Sequence, residues 1–174
     1  MKRLLLATVI AGATVSVASA QNTEAPDDLT NSQIEARATS LHPAMLYRLS
    51  ARLLSEGREQ EAANWMYAAQ IRYRFMIEAG GDAGRKEAVL FSALSEQVGR
   101  PVNEYIAGDV DEWLAAMQWA LDWDAANPNE TTSKTEHAAA LAEVRAGLER
   151  LMAQVEANRE NIPKQREANG LSNR

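Results

Sequence analysis

The apolar residues of this chain recur three and four positions apart, the spacing of one face of an α-helix. A clear example lies within residues 43–56, where Leu46, Leu49 and Leu53 form a single apolar stripe. No stretch alternates apolar and polar residues in the way that a half-buried strand does. The pattern therefore predicts an all-α fold of about five or six helices.

Turn residues and capping motifs set the predicted boundaries of these helices. Gly57 and Gly108 end helices, and Pro101 is suited to a first helical position. We expect a glycine-rich break over 79–84 and a sharp turn over 99–101. The predicted helices cover residues 43–56, 58–78, 85–98, 101–107, 109–126 and 134–161, the last of them long and amphipathic. Residues 31–39 carry a weak signal for a short additional helix at the start.

Residues 46–69 predict a helical hairpin that has a recognisable residue pattern. Large apolar residues and small ones share the facing sides of the two helices, and Gly57 forms the turn between them. The residues of this pattern are Leu46, Leu49, Ser50, Leu53, Gly57, Ala62, Trp65, Met66 and Ala69. This stretch resembles a tetratricopeptide or Sel1-like hairpin. A degenerate copy lies 51 residues further on, with Trp113 where the pattern has Ala62. The block 42–74 is also similar to one found in bacterial secreted proteins.

The resemblance implies stacked antiparallel helical hairpins, closed by the long C-terminal amphipathic helix. It also implies a protein-interaction function, because such repeats mostly serve as binding scaffolds. By the geometry of the family, Tyr47 and Arg48 would face the concave side and contact a partner. Trp119 and Trp123, four residues apart, are the second candidate partner surface. The alternative for this tryptophan pair is packing against the C-terminal helix.

The first twenty residues read as a cleaved secretory signal. Lys2 and Arg3 precede an apolar run, and small residues follow at 18–20. We expect cleavage between Ala20 and Gln21 and a periplasmic or secreted protein, with no membrane anchor, because the run is too short to span a bilayer. The predicted organisation is a signal peptide at 1–20, a disordered leader at 21–30, a single all-α domain at 31–162 and a flexible tail at 163–174.

Composition narrows the chemistry that this chain can perform. Without the predicted signal, 16 basic and 24 acidic residues remain, a net charge of −8. Such a chain is a poor candidate for binding nucleic acid through general electrostatics. Cysteine is absent, which excludes disulfides, thiol catalysis and cysteine-ligated metals.

No residue pattern points to catalysis, to a metal or to a cofactor. The two histidines, His42 and His137, have no second ligand at metal-binding spacing. The glycine-rich segment 80–86 fits no phosphate-binding fingerprint and is better explained as a helix C-cap. The sequon at Asn129 would matter only in a eukaryotic host.

The sequence therefore predicts an extracytoplasmic helical-repeat module that binds another protein. Two alternatives from other classes stay open. One is a small periplasmic enzyme acting on cell-wall or glycan material, and the other is an inhibitor or immunity protein. A concave pocket with converging carboxylates would favour the enzyme, whereas an exposed aromatic or charged groove would favour the binding module.

Overall fold

The computed structural model describes residues 28–174, and regular structure in this part of the chain is helical throughout, as predicted. The helices are α1 (Asn31–Ala36), α2 (Pro43–Ser55), α3 (Glu59–Ala79), α4 (Gly81–Leu94), α5 (Arg100–Ile106), α6 (Val110–Ala126), α7 (Ala138–Ala157) and α8 (Ile162–Ala168). The predicted signal peptide and most of the predicted leader lie outside the described residues. The end of that leader is not disordered, because Leu29 is buried and Thr30 caps α1.

Helix α3 occupies the centre of the fold. The chain reverses between α2 and α3 at Gly57, which adopts a positive φ of 72°. Across this hairpin the buried Ser50 hydroxyl donates to the carbonyl of Ala62 at 2.7 Å. Its small side chain lets the two helices approach closely.

Helix α6 runs parallel to α3, and α7 returns antiparallel to α6. The start of α3 meets the start of α6 where the Gln60 amide donates to the carbonyl of Glu112 at 3.2 Å. Arg145 of α7 donates to the carbonyl of Leu121 at 3.0 Å. A core of side chains from all these helices surrounds α3.

Helices α4 and α5 form one continuous helix, joined by a π-helical turn at Ser95–Gly99. The sharp turn predicted over 99–101 is therefore wrong. A proline inside an α-helix clashes with the carbonyl four residues earlier and lacks a donor for it. The wider π turn immediately before Pro101 relaxes this conflict, so the helix continues through the proline.

The predicted break over 79–84 is also shorter than expected. Helix α3 ends at Ala79, and α4 begins only two residues later at Gly81, whose φ is 52°. Gly84 lies inside α4, where the backbones of α3 and α4 are in contact. The glycines therefore serve a tight helix-to-helix reversal and not an extended loop.

The C-terminal residues form part of the fold, which corrects the predicted flexible tail over 163–174. They include α8, and the backbone N–H of Arg174 donates to the carbonyl of Gly108 at 2.8 Å. The Arg174 guanidinium lies 4.0 Å from the centre of the Tyr105 ring. The chain end is thus fixed to the turn between α5 and α6. The long helix predicted over 134–161 is shorter and begins at Ala138.

None of the helices in residues 28–174 combines the length and the apolar character needed to cross a membrane.

Candidate functional site: a groove between three helices

A groove of about 570 Å³ lies between α4 and α7, with α3 as its floor. The floor residues follow one stripe of α3, at Gln70, Ile71, Arg74, Ile77 and Glu78. Helix α4 contributes Ala88 and Phe91, and α7 contributes Glu143, Val144, Gly147, Leu148, Arg150 and Leu151. The lining as a whole is therefore mostly apolar, with polar side chains at Gln70, Arg74 and Glu78 on the floor and at Glu143 and Arg150 on the α7 wall.

The α7 wall is open because this helix is only lightly buried. Val155 is its one fully buried residue, and Val144, Leu148 and Leu151 are half-buried. Gly147 leaves a gap in the wall, since a Cβ placed there would meet only the Arg150 Nη2 atom, at 3.7 Å. A partner could thus approach the α7 backbone closely at Gly147.

The α4 wall is held by aromatic packing. The Phe91 ring lies 5.3 Å from the Tyr73 ring and 6.3 Å from the Tyr47 ring, measured between centroids. Arg74 reaches from the floor over Phe91, with its guanidinium carbon 5.1 Å from the ring centre. This cation–π contact leaves the guanidinium exposed at the groove.

Polar contacts around Glu87 attach α4 to α2 and α3. Tyr73 donates its hydroxyl to Glu87 Oε2 at 3.0 Å, and His42 Nε2 lies 3.3 Å from the same oxygen. The other ring nitrogen, His42 Nδ1, accepts the backbone N–H of Ala44 at 3.2 Å and so caps α2. Burial, together with the hydrogen bond to Glu87, raises the pKa of Tyr73. The neutral phenol is therefore a stable donor that helps to fix the α4 wall.

A buried ion cluster fixes α7, the other wall, to the end of α6. Asp124 is 1% exposed and lies 3.4 Å from Arg72, 3.4 Å from Lys134 and 3.2 Å from Arg145. The same cations donate to backbone carbonyls, as where Lys134 donates to Asn127 at 2.9 Å. Burial lowers the pKa of both Arg72 and Lys134, and the charge of Asp124 opposes this effect. The cluster neutralises the C-terminal end of α6 and serves packing.

The expectation that Tyr47 lies on an exposed concave face is wrong. Tyr47 is fully buried, and its hydroxyl lies 3.3 Å from the Ser95 Oγ atom in the π turn. Burial raises the pKa of Tyr47 to about 12. Arg48 is half-buried on the neighbouring position of α2. Tyr47 is thus a support for the α4 wall, because its ring packs against Phe91.

Trp119 and Trp123 form a separate aromatic cluster with Trp65. Their rings stack at 6.1 Å with an interplanar angle of 10°, and Trp65 meets each of them edge-on at 5.2 Å. The Arg72 guanidinium lies 4.4 Å from the Trp123 ring. Both tryptophans are half-buried, and it is Trp65 of α3 that packs against them. The structure does not place them near Tyr47 in one site.

The other residues singled out in the sequence have structural environments. His137 precedes α7, and Gly80 ends α3 as a C-cap. Asn129 is 8% exposed, and its side-chain oxygen accepts the backbone N–H groups of Thr131 and Thr132, which makes it a poor acceptor for a glycan. Within residues 28–174 no group of three or more acidic or histidine side chains is arranged to hold a metal ion.

Sequence reasoning missed the groove, although two signals pointed toward it. Helix α3 is apolar on more than one side, which predicts several packing neighbours. Gly147 interrupts an otherwise strong helix at a cost of about 1 kcal/mol relative to alanine. Neither signal shows which neighbours remain apart, because that depends on how α4 and α7 diverge over α3.

Comparison with known proteins gives no relative for this chain: no family model, no curated protein and no solved structure matches it.

Proposed function

We propose that this chain is a helical protein-interaction module that binds an amphipathic helix of a partner protein in the groove between α3, α4 and α7. The groove itself carries the proposal. It combines a mostly apolar lining with walls made of two helices, and this arrangement suits a partner helix laid between those walls. The volume of about 570 Å³ lies within the usual range of ligand-binding clefts.

The apolar surface favours side chains at helical spacing. Ile77, Phe91, Leu148 and Leu151 offer aliphatic and aromatic contacts on three different helices. An amphipathic helix presents apolar anchors at positions i, i+3 or i+4 and i+7, which can enter such a groove in succession. The missing side chain at Gly147 provides space for one of these anchors.

The charges of the groove define the polar part of the partner. Arg74 and Glu78 lie one turn apart on α3, and both are exposed. Glu143 and Arg150 on α7 already pair with each other at 2.7 Å. A complementary partner helix therefore carries an acidic side chain opposite Arg74 and a basic one opposite Glu78, about one turn apart.

The proposal also includes stacked hairpins of the tetratricopeptide type and a location outside the cytoplasm. The α2–α3 hairpin and the parallel pairing of α3 with α6 support the first idea. The order of charged, apolar and small residues over 1–20 supports the second. Intact-mass measurement of protein recovered from the periplasm of a bacterial host tests it. A chain beginning at Gln21 is expected, and exported protein that retains residues 1–20 would contradict it.

Binding of designed helical peptides tests the groove directly. Two amphipathic peptides of about 18 residues, or five turns, share the same leucine face. One carries glutamate and lysine placed to meet Arg74 and Glu78, and the other has these two charges exchanged. Titration by fluorescence anisotropy gives the dissociation constants, and backbone NMR shifts locate the contact. We expect the first peptide to bind more tightly and to shift signals from α3, α4 and α7.

Two matched variants make this experiment specific for the groove. Gly147→Leu fills the gap in the wall and should weaken peptide binding about tenfold or more, whereas Ala153→Leu adds apolar bulk to an exposed part of α7 and should not. Arg74→Glu should reverse the preference between the two peptides. The proposal fails if neither peptide binds to the wild-type protein. It also fails if the Gly147→Leu variant binds the peptides as tightly as the wild-type protein does.

A further inference from the structure

The outer face of the continuous α4–α5 helix carries an exposed stripe that no part of the described chain covers. Its residues follow the spacing of a coiled-coil seam, four and three apart in alternation, at Asp82, Lys86, Val89, Ala93, Glu96 and Arg100. All six are exposed, so the π turn at 95–99 keeps the stripe on the solvent side.

The centre of this stripe is apolar to an unusual degree for a protein surface. Val89 is 75% exposed, and Leu90 beside it is 46% exposed. Among the described residues these are the only large hydrophobic side chains that are exposed. Their position in the middle of a charged stripe resembles the core of an interface surrounded by a polar rim.

The stripe is complementary to itself when two copies of the helix run antiparallel. In such a pair, facing residues have numbers that add up to 182. Lys86 then meets Glu96 of a second copy, and Asp82 meets Arg100 of that copy. At the centre, the large Val89 faces the small Ala93. A two-fold axis repeats each pair, so four opposite-charge pairs flank four apolar residues.

We propose that this face is a homodimer interface, in which the α4–α5 helices of two copies pack antiparallel about a two-fold axis. A second copy explains the order of charges along the stripe as well as its apolar centre. An unrelated partner would need only the apolar centre. In heptad terms, Lys86, Ala93 and Arg100 occupy a positions, and Asp82, Val89 and Glu96 occupy d positions. Each a residue then faces a d residue of the second copy, as in antiparallel coiled coils.

The charged residues at the ends of the stripe already have neighbours in the same helix. Asp82 pairs with Arg85, and Glu96 lies 3.1 Å from Arg100. Exposed pairs within one helix contribute little to stability, so these side chains can turn toward a second copy at small cost. None of the six stripe residues lines the groove between α3, α4 and α7. The dimer and the proposed peptide site can therefore be tested separately.

Sedimentation equilibrium of the purified protein tests the dimer. At concentrations up to about 1 mM, even weak self-association is visible. We expect Lys86→Glu and Glu96→Lys each to raise the dimer dissociation constant about tenfold or more, because each variant places like charges together twice. Lys164→Glu on α8 makes the same charge change as the first variant at another exposed site and should have no effect.

Mixing the two variants provides the most specific result. The Lys86→Glu chain carries carboxylates at both position 86 and position 96, and the Glu96→Lys chain carries ammonium groups at both positions. A mixture should therefore form a heterodimer, although each variant alone is a monomer. The double variant Lys86→Glu/Glu96→Lys should regain the homodimer.

Three outcomes would overturn the proposal. The first is a wild-type protein that stays monomeric at the highest concentration. The second is a dimer that Lys86→Glu, Glu96→Lys and Val89→Asp all leave unchanged, since that dimer must use another surface. The third is a mixture of the two charge variants that forms no heterodimer. Far-UV circular dichroism confirms that each variant is folded.

Discussion

The backbone of Gly84 packs directly against the carbonyl group of Ile77, with no space for a Cβ atom between them. This contact sets how closely α4 approaches the end of α3. It therefore also sets the width of the groove, because α4 forms one of its walls. A glycine within the first turns of a helix is unfavourable in itself, so its presence here is explained by the close approach.

Gly84→Ala should lower the free energy of unfolding by about 1–3 kcal/mol, since the added methyl group forces the two backbones apart. Urea denaturation measures this loss. Gly147→Ala is the matched control, because its Cβ would meet only the Arg150 Nη2 atom, at 3.7 Å. That substitution should instead stabilise α7 by up to about 1 kcal/mol. Equal effects of the two variants would contradict the close contact at Gly84.

Trp65→Ala should lower the free energy of unfolding by about 3–5 kcal/mol. Trp65 is 9% exposed and meets both Trp119 and Trp123 edge-on, so its removal leaves a large cavity between α3 and α6. Trp123→Ala should cost less, because Trp123 is half-buried. The comparison uses midpoints of urea denaturation, and identical midpoints for the two variants would show that Trp123 is equally important to the core.

Asp124→Asn should destabilise the protein by about 3–5 kcal/mol. The substitution removes the carboxylate that faces Arg72, Lys134 and Arg145, and it leaves buried positive charge without a counter-ion. Asp122→Asn is the control on the same helix. Asp122 is exposed and accepts only the Gln118 side chain, at 2.8 Å, so its replacement should change stability by less than about 0.5 kcal/mol. Thermal unfolding measures the midpoint temperature of both variants. Equal midpoints for Asp124→Asn and Asp122→Asn would show that the ion cluster does not stabilise the fold.

The helices were predictable from the sequence wherever local signals set them. The stripe Leu46–Leu49–Leu53 and the turn at Gly57 give α2 and the start of α3 to within a residue or two. The predicted helix over 109–126 matches α6, and the Asp109 side chain caps it by accepting the backbone N–H groups of Asp111 and Glu112. These features depend on neighbours within one turn, which a sequence displays directly.

The positions of these helices relative to each other were not predictable in the same way. Pro101 reads as a helix start, yet a π turn absorbs it within a continuous helix. Tyr47 reads as a residue of an exposed face, yet the packing of α4 over α2 buries it against Phe91. The candidate groove depends on the gap between α4 and α7, which no local pattern encodes.

Alkaline pH should destabilise the protein through its buried tyrosines. Burial raises the pKa of Tyr47 to about 12, and burial also raises the pKa of Tyr67. Tyr67 donates to Asn103 at 2.7 Å and accepts from the Trp113 indole at 2.5 Å, so its neutral form is well bonded. In the unfolded chain a tyrosine ionises near pH 10.

Each tyrosine with a raised pKa therefore contributes stability that is complete below pH 10 and is lost as the pH rises toward its folded value. Between pH 10 and 12 the free energy of unfolding should fall by about 1.4 kcal/mol per pH unit for each such group. Urea denaturation at pH 9, 10 and 11 measures the slope. Tyr47→Phe keeps the ring packing but removes one ionising group. The variant should therefore lose free energy of unfolding less steeply with pH, by about 1.4 kcal/mol per pH unit. An unchanged slope in this variant would mean that the Tyr47 hydroxyl ionises as readily in the folded protein as in the unfolded chain.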